Sequence, residues 1–245
     1  MKNDNVKLES IGCGVKIYTS KQHSFTTDAI LLADFCKIKR NDKATDLGSG
    51  CGIIPFLWTR YDRTGKTTAV EIQQNATELI EKSIKENNFE EKIEVINCDL
   101  REIEKHTDEL YTYSLVSINP PYKPINSGLR SADGSHEIAR HMLTCTTKDI
   151  MKCADKLLKF GGKLCLCQKP EMITEILCEM RKADIEPKRL RFVSSKPHRA
   201  PWLMLIEGRK GANKGLKIEP ELIVRNEDGS WSEEMLKIYG DYGKS

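Results

Sequence analysis

The stretch KATDLGSGCG, residues 43 to 52, decides the fold. Its first half is suited to a short buried strand, and its second half is a turn containing Gly48, Gly50 and Gly52. The apolar run that follows, residues 53–61, predicts a helix. Glycines let a backbone turn sharply and approach a ligand closely, and this turn leads directly into a helix N-terminus. The stretch therefore predicts a ligand-binding turn, with simple tight packing as the alternative.

Strand and helix patterns alternate on both sides of this turn. The predicted strands cover residues 43–47, 67–72, 92–99, 111–119, 162–169, 188–195 and 202–210. The predicted helices cover residues 25–35, 53–61, 73–88, 138–160 and 170–183. Such alternation indicates an α/β fold with a mostly parallel seven-stranded sheet. Because a short connection without a helix joins the last two strands, we expect them to form an antiparallel terminal hairpin.

Polar side chains stand at the ends of four predicted strands. They are Asp46, Glu71, Asp99 and Asn119. Glu71 follows Asp46 at nearly the spacing at which a carboxylate meets ribose hydroxyls in nucleotide-binding folds, and Asp99 could accept a hydrogen bond from an adenine amine. Ligands of such folds bind beyond the carboxyl ends of the strands. The sequence lacks the lysine of a P-loop and the third glycine of a dehydrogenase turn, so neither of those sites is predicted.

The motif NPPY, residues 119 to 122, ends the fourth strand. Two prolines stop a strand and stiffen the turn. The side-chain oxygen of Asn119 and the carbonyl of Pro120 can then accept both hydrogens of a planar amine. Pro121 fixes the turn, and Tyr122 can stack on the aromatic base that carries the amine. A rigid strand-end turn without chemistry is the alternative.

Composition narrows the class of protein further. The chain has 245 residues, a net charge of +3 and no apolar run near the ~20 residues that cross a membrane. The N-terminal residues MKNDNVKLES lack the apolar stretch of a signal peptide, so we expect a cytoplasmic protein. The nine cysteines form no CxxC pair and are expected to be buried structural thiols, with no metal site.

Positive charge is concentrated near the end of the predicted fold. Residues 181–217 hold eleven lysines and arginines against three acidic residues, with Phe192 and Trp202 among them. This pattern favours a polyanionic partner such as nucleic acid, with a solvated surface as the alternative. The residues predicted to bind RNA are Arg189, Arg191, Lys196, His198 and Arg199.

The motif DLGSGCG and the order of motifs over residues 21–210 resemble the class I S-adenosylmethionine-dependent methyltransferases, and NPPY resembles the signature of their amine-modifying members. Within that class, HSFTTDAILLADF, DLGSGCGIIPFL, NPPY, SADGSHEIARHM and KPHRAPWLMLIEGRKG look like the bacterial tRNA1(Val) adenine-37 N6-methyltransferases. The resemblance implies a Rossmann-like methyltransferase catalytic domain over residues 1–210. A tail over residues 211–245 would pack on this domain or extend from it.

The resemblance also implies a cofactor, a substrate and their residues. S-adenosyl-L-methionine would be held by Thr27, Asp28, Asp46, Gly48, Gly50, Glu71, Asp99, Leu100 and Asn119. Residues 119–122 would hold an adenine of a tRNA anticodon stem-loop, and the protein would act as a monomer. The HEIAR segment, residues 136–140, would order a loop over the site or form only a structural salt bridge. A methyltransferase acting on rRNA guanine or protein glutamine, and a non-catalytic RNA-binding module, are the alternatives.

Overall fold

A computed structural model describes residues 6–61, 64–120 and 145–242 of the chain. Pro121, Tyr122 and the HEIAR segment lie outside the described residues. What the sequence predicts for them therefore stays a prediction.

All seven predicted strands are present in one central sheet. They are β3 (Ala44–Leu47), β4 (Thr67–Glu71), β5 (Ile93–Asn97), β6 (Tyr113–Ile118), β7 (Leu158–Gln168), β8 (Ile185–Ser194) and β9 (Leu203–Lys210). Their order is β8-β9-β7-β6-β3-β4-β5, in which β9 is antiparallel to both of its neighbours and the other pairs are parallel. The predicted α/β class and antiparallel terminal hairpin are confirmed.

Helices cover both faces of this sheet. They are α1 (Thr27–Phe35), α2 (Ile53–Thr59), α3 (Gln74–Asn87), α4 (Thr147–Leu157) and α5 (Ile173–Lys182). One core cluster packs α1 and α2 against the sheet, and a second packs α4 and α5 against the other face. Every residue of β3, β4 and β6 is buried as a result, which explains why these strands lack polar alternation.

The N-terminal segment and the end of helix α4 differ from the sequence prediction. A two-stranded antiparallel hairpin, β1 (Lys7–Ser10) with β2 (Lys16–Thr19), precedes α1 and was not predicted. Helix α4 ends at Leu157 rather than residue 160, and the glycines expected to end it lie inside β7. Gly161 has φ +75°, and a Cβ on Gly162 would lie 3.0 Å from the Tyr113 carbonyl oxygen. These glycines therefore permit an irregularity in the pairing of β6 with β7.

The segment after Gly211, which the sequence suggests is loosely attached, contributes to the central sheet. Strands β10 (Lys217–Ile218) and β11 (Leu222–Ile223) both pair with β8, so the described sheet has nine strands rather than seven. The last helix, α6 (Glu233–Tyr239), packs on α1. Whether residues 1–210 form a separate domain stays a prediction.

The strand order creates a switch point between β3 and β6. From β3 the chain continues outward through β4 and β5, whereas β6 and β7 lie on the other side. Ligands of open α/β sheets bind beyond the carboxyl ends of the strands at such a point. The glycine turn after β3 and Asn119 after β6 both lie there.

Candidate active site

The glycine turn leaves open space above the carboxyl end of β3. Gly48 and Gly50 have φ of +67° and +57°, and a Cβ added to either would meet no atom within 4 Å. A Cβ on Gly52 would instead lie 3.1 Å from Ile80 on α3. The first two glycines therefore leave room for a ligand against the backbone, whereas the third permits close packing of α2 on α3.

Asp46 lies beneath this turn and holds its shape. Only 2% of the residue is exposed, and its carboxylate accepts hydrogen bonds from the hydroxyls of Ser49, at 2.9 Å, and Ser117, at 2.5 Å. Glu71 is equally buried, and its two oxygens accept from the backbone N–H groups of Gly50 and Gln73, both at 2.9 Å. Both carboxylates predicted to touch the cofactor thus bind the turn itself in this structure.

Burial changes the acidity of Asp46. Loss of hydration raises its pKa to about 7, because the hydrogen bonds from Ser117 and Ser49 offset that loss only in part and the nearby Glu71 carboxylate adds to the rise. Asp46 therefore binds a proton in the folded protein at a pH where the unfolded chain has lost it.

This difference predicts a pH-dependent stability. A carboxyl whose pKa is higher in the folded state binds more protons there, so the free energy of unfolding falls as pH rises from about 4, its unfolded pKa, to about 7. Asn at position 46 cannot titrate, so Asp46→Asn should remove this fall. Urea unfolding at pH 4 to 8 measures both proteins. Parallel stability profiles would contradict the assignment.

Asp99 and Leu100 follow β5 at the same edge of the sheet. The Asp99 carboxylate accepts from the backbone N–H of Arg101 at 2.9 Å and pairs with its guanidinium. This contact caps the short 3-10 helix Leu100–Lys105. The side chain of Asp99 remains 19% exposed, and Asp99 lines the cavity at this edge, so it is anchored and still accessible.

Asn119 extends directly from β6. Its Oδ1 accepts a hydrogen bond from the buried thiol of Cys167 on β7, at 3.0 Å. Pro120 follows it at the rim of the site. Of the predicted NPPY group, these two residues are the ones that the structure describes.

A cavity of about 410 Å³ joins these elements. That volume is within the range of small-molecule sites. Its lining includes Gly48, Ile72, Asp99, Leu100, Asn119 and Pro120. Ile72 was not predicted from the sequence, although its place directly after the Glu71 strand end could have indicated it. The structure therefore brings the residues after β3, β4, β5 and β6 together around one space.

Thr27 and Asp28 are placed near this edge by the direction of α1. The opposite end of the helix lies by the other edge of the sheet. There the ammonium of Lys163, which is level with the first residue of β3 in the sheet register, donates to the carbonyl of Cys36 at 3.1 Å. Neither Thr27 nor Asp28 lines the cavity within the described residues. The Thr27 hydroxyl instead shares a hydrogen bond of 3.1 Å with the hydroxyl of Tyr239 on α6, a contact across the chain that sequence spacing could not reveal.

The predicted RNA-binding arginines on β8 are engaged with acidic side chains. Arg189 pairs with Glu207 at 2.9 Å and Glu219 at 3.5 Å, and its side chain is 16% exposed. Arg191 makes two hydrogen bonds to Glu234 on α6, at 2.6 and 2.7 Å. These pairings leave both arginines poorly placed to contact phosphates.

The loop between β8 and β9 is different. His198 and Arg199 are exposed, and Lys196 is half-buried where it donates to the carbonyl of Glu227 at 3.1 Å. Because β8 is parallel to β7, this loop leaves the sheet at the same edge as Asn119. Part of the accessible positive charge of the basic run, that of this loop, therefore lies on the side of the candidate site, whereas exposed lysines such as Lys214 lie elsewhere.

The nine cysteines are free, and six are buried: Cys36, Cys51, Cys98, Cys153, Cys165 and Cys167. Cys13 and Cys178 are exposed and Cys145 is half-buried, so the prediction of buried thiols fails at these three positions. Across residues 6–61, 64–120 and 145–242, no three His, Cys, Asp or Glu side chains are grouped to hold a metal ion. No helix in those ranges is long and apolar enough to span a bilayer.

Solved structures with the same fold identify the class. A predicted O-methyltransferase from Agrobacterium tumefaciens has a TM-score of 0.71 at 20% identity, over 87% of this chain and 95% of that one. M. jannaschii TYW2, solved in complex with AdoMet, has a TM-score of 0.59 at 12% identity, over 85% and 87% of the two chains. The fold is that of a Rossmann-like class I methyltransferase.

The family follows from the sequence match. Residues 17–183 match the family model described as Methyltransferase small domain, and the chain belongs to that family. Two similar proteins are both named tRNA1(Val) (adenine(37)-N6)-methyltransferase. One, from Aeromonas hydrophila, is 25% identical over 86% of each chain. The other, from Parabacteroides distasonis, is 28% identical over 74% of each chain.

Enzymes of this family take their methyl group from S-adenosylmethionine. The structure is consistent with this cofactor at the switch point. Gly48 and Gly50 leave open space against the backbone, and Asp99 offers a carboxylate acceptor beside a cavity large enough for a nucleoside.

Proposed function

We propose that this methyltransferase modifies the exocyclic amine of an adenine in tRNA, at position 37 in the anticodon loop of a valine tRNA. The position of Asn119 carries the proposal, because it places an amide acceptor at the end of β6, on the cavity that also contains the glycine turn. The names of the similar proteins from Aeromonas hydrophila and Parabacteroides distasonis support the choice of substrate.

The chemistry requires the target amine to be oriented toward the methyl group. It does not require a strongly basic side chain. The lone pair of an adenine amine is delocalised into the ring, so the nitrogen is a weak nucleophile. Acceptors at the Asn119 Oδ1 and the Pro120 carbonyl would hold the two hydrogens and favour a pyramidal nitrogen. The cofactor, when bound, would supply a methyl group already activated by its sulfonium. Transfer would exchange the C–S bond for an N–C bond, leave a neutral thioether, and release one amine proton to solvent. Tyr122 would stack on the base.

Cofactor binding is assigned to residues around the turn. Gly48 and Gly50 would allow close approach of the methionine part of the cofactor, and Ile72 and Leu100 would enclose the adenine ring of the cofactor. Asp99 would accept from the adenine amine. Asp46 and Glu71 would act mainly by holding the turn, since their oxygens already accept hydrogen bonds there. Thr27 and Asp28 would complete the site from α1.

The 195–202 loop is proposed to contact the tRNA. Strands lie about 4.8 Å apart, so the three steps from β6 through β7 and β9 to β8 place this loop about 14 Å from Asn119 along the sheet edge. A flipped base and the phosphates of its own stem can be separated by such a distance. Position 37 lies in a single-stranded loop, where a base can be turned out at modest cost.

Reversal of the two loop charges tests this contact. Lys196→Glu combined with Arg199→Glu should weaken tRNA binding at least about tenfold and reduce the slope of log affinity against log salt by about 1.5, since each phosphate contact contributes roughly 0.7–0.9. The matched control reverses Lys159 and Lys214, two exposed lysines near the opposite edge of the sheet. Filter binding at four salt concentrations measures all three proteins. If the slope of log affinity against log salt were the same in both variants, the loop would be a solvated surface without phosphate contacts.

Substrate class is tested by following a labelled methyl group. The protein is incubated with labelled S-adenosylmethionine and one candidate substrate at a time: tRNA, ribosomal RNA or protein that contains accessible glutamine. The proposal predicts N6-methyladenosine in the tRNA digest. Methylguanine in ribosomal RNA or methylglutamine in protein would contradict the proposal and identify another amine as the substrate. Binding of tRNA without transfer to any of the three would favour a non-catalytic RNA-binding module.

A further inference from the structure

The thiol of Cys167 contacts the side chain on which the proposed chemistry depends. Cys167 lies on β7 with no exposed surface, and its sulfur donates to the Asn119 Oδ1 at 3.0 Å. Ile118 pairs with Leu166 in the sheet register, so the next residues, Asn119 and Cys167, lie side by side where the two strands end. The contact is therefore a hydrogen bond between side chains of neighbouring strands, and the pairing of β6 with β7 fixes its geometry.

A donor at this position has a specific consequence for an amide. An asparagine side chain has an acceptor oxygen on one side and a donor NH2 on the other, and rotation by 180° exchanges them. A thiol hydrogen directed at Oδ1 favours one of these two orientations. Because a carbonyl oxygen has two lone pairs, Oδ1 can accept from Cys167 and still accept a substrate amine hydrogen.

We propose that Cys167 is a positioning residue that holds the Asn119 amide with its oxygen toward the target amine. The proposal rests on the proposed function, since it needs Asn119 to act as an amine acceptor. The donor on the neighbouring strand would make the orientation independent of substrate binding, so less ordering would remain when the base enters.

Neighbouring Cys165 provides a matched control. It lies two residues earlier on β7, is also fully buried, and packs in the same core as Cys167. Cys167→Ala should lower kcat about tenfold, the usual effect of one hydrogen bond, with KM for cofactor and tRNA within about twofold of wild type. Cys167→Ser keeps a donor and should recover most of that loss. Cys165→Ala should lower the melting temperature similarly and leave kcat near wild type.

A second readout works without any substrate. The side-chain amide of Asn119, assigned from its disappearance in Asn119→Ala, should shift in the NMR spectrum of Cys167→Ala and stay in place in Cys165→Ala. An unmoved amide, or equal kcat losses in the two alanine variants, would reduce Cys167 to a packing residue. If the amide shifts and wild-type protein methylates another amine substrate instead of tRNA, the positioning role stands and the proposed substrate is wrong.

Discussion

Replacement of Asn119 by alanine is expected to lower methyl transfer by on the order of 10²-fold or more. The side chain stands at the end of β6 on the cavity, where it would provide one of two acceptors for the amine hydrogens. Without it the nitrogen lone pair stays delocalised into the π system of the ring and is no longer directed at the methyl carbon. Cofactor affinity should change little, because the lost group faces the target. Single-turnover kinetics and calorimetry measure the two quantities separately.

Asn119→Asp is the matched control for shape. The aspartate side chain has the same length and keeps an acceptor oxygen, so this variant should retain more activity than the alanine variant. Thermal unfolding of both variants checks that the end of β6 remains folded. Transfer by Asn119→Ala within about threefold of wild type would end the amine-acceptor account.

The second large effect is expected from Gly48→Ala. The added methyl group would enter the open space against the turn, at a φ of +67° that alanine tolerates poorly. If the cofactor occupies that space, its affinity should fall on the order of 10–10²-fold, the range that overpacking a well-fitted contact produces. Calorimetric titration with S-adenosylmethionine measures the change.

Gly229 offers a control with the same local geometry. It has φ +88°, and a Cβ there would also meet no atom within 4 Å, but it lies in the turn before α6. Gly229→Ala should therefore show similar backbone strain and unchanged cofactor affinity. Equal affinities in the two variants would place the cofactor away from the glycine turn.

Much of the fold follows from sequence because its signals are local. The turn after β3 needs residues without side chains, and seven strands alternate with helical patterns that each element shows by itself. The β1–β2 hairpin and the pairing of β10 and β11 with β8 were missed, since they depend on contacts between distant segments. Gly161 and Gly162 were interpreted as a helix end because glycine marks both helix ends and strand irregularities.

The candidate site was predicted at the level of position and less well at the level of contacts. Strand ends indicated Asp46, Glu71, Asp99 and Asn119. These all lie at the carboxyl edge of the sheet, and Asp99 and Asn119 line the cavity. Sequence spacing could not show that Asp46 and Glu71 bind the turn, or that acidic partners as distant as Glu234 neutralise part of the basic run. A count of charges along the sequence does not include the acidic side chains that folding places beside the arginines.

The most direct test of the account maps the modified nucleotide. Purified protein is incubated with S-adenosylmethionine and an unmodified valine tRNA transcript, and nuclease fragments are analysed by mass spectrometry. The account predicts one methyl group on the N6 of adenine 37 with wild-type protein and almost none with Asn119→Ala. A methyl group on any other nucleotide, or the same yield from both proteins, would contradict it.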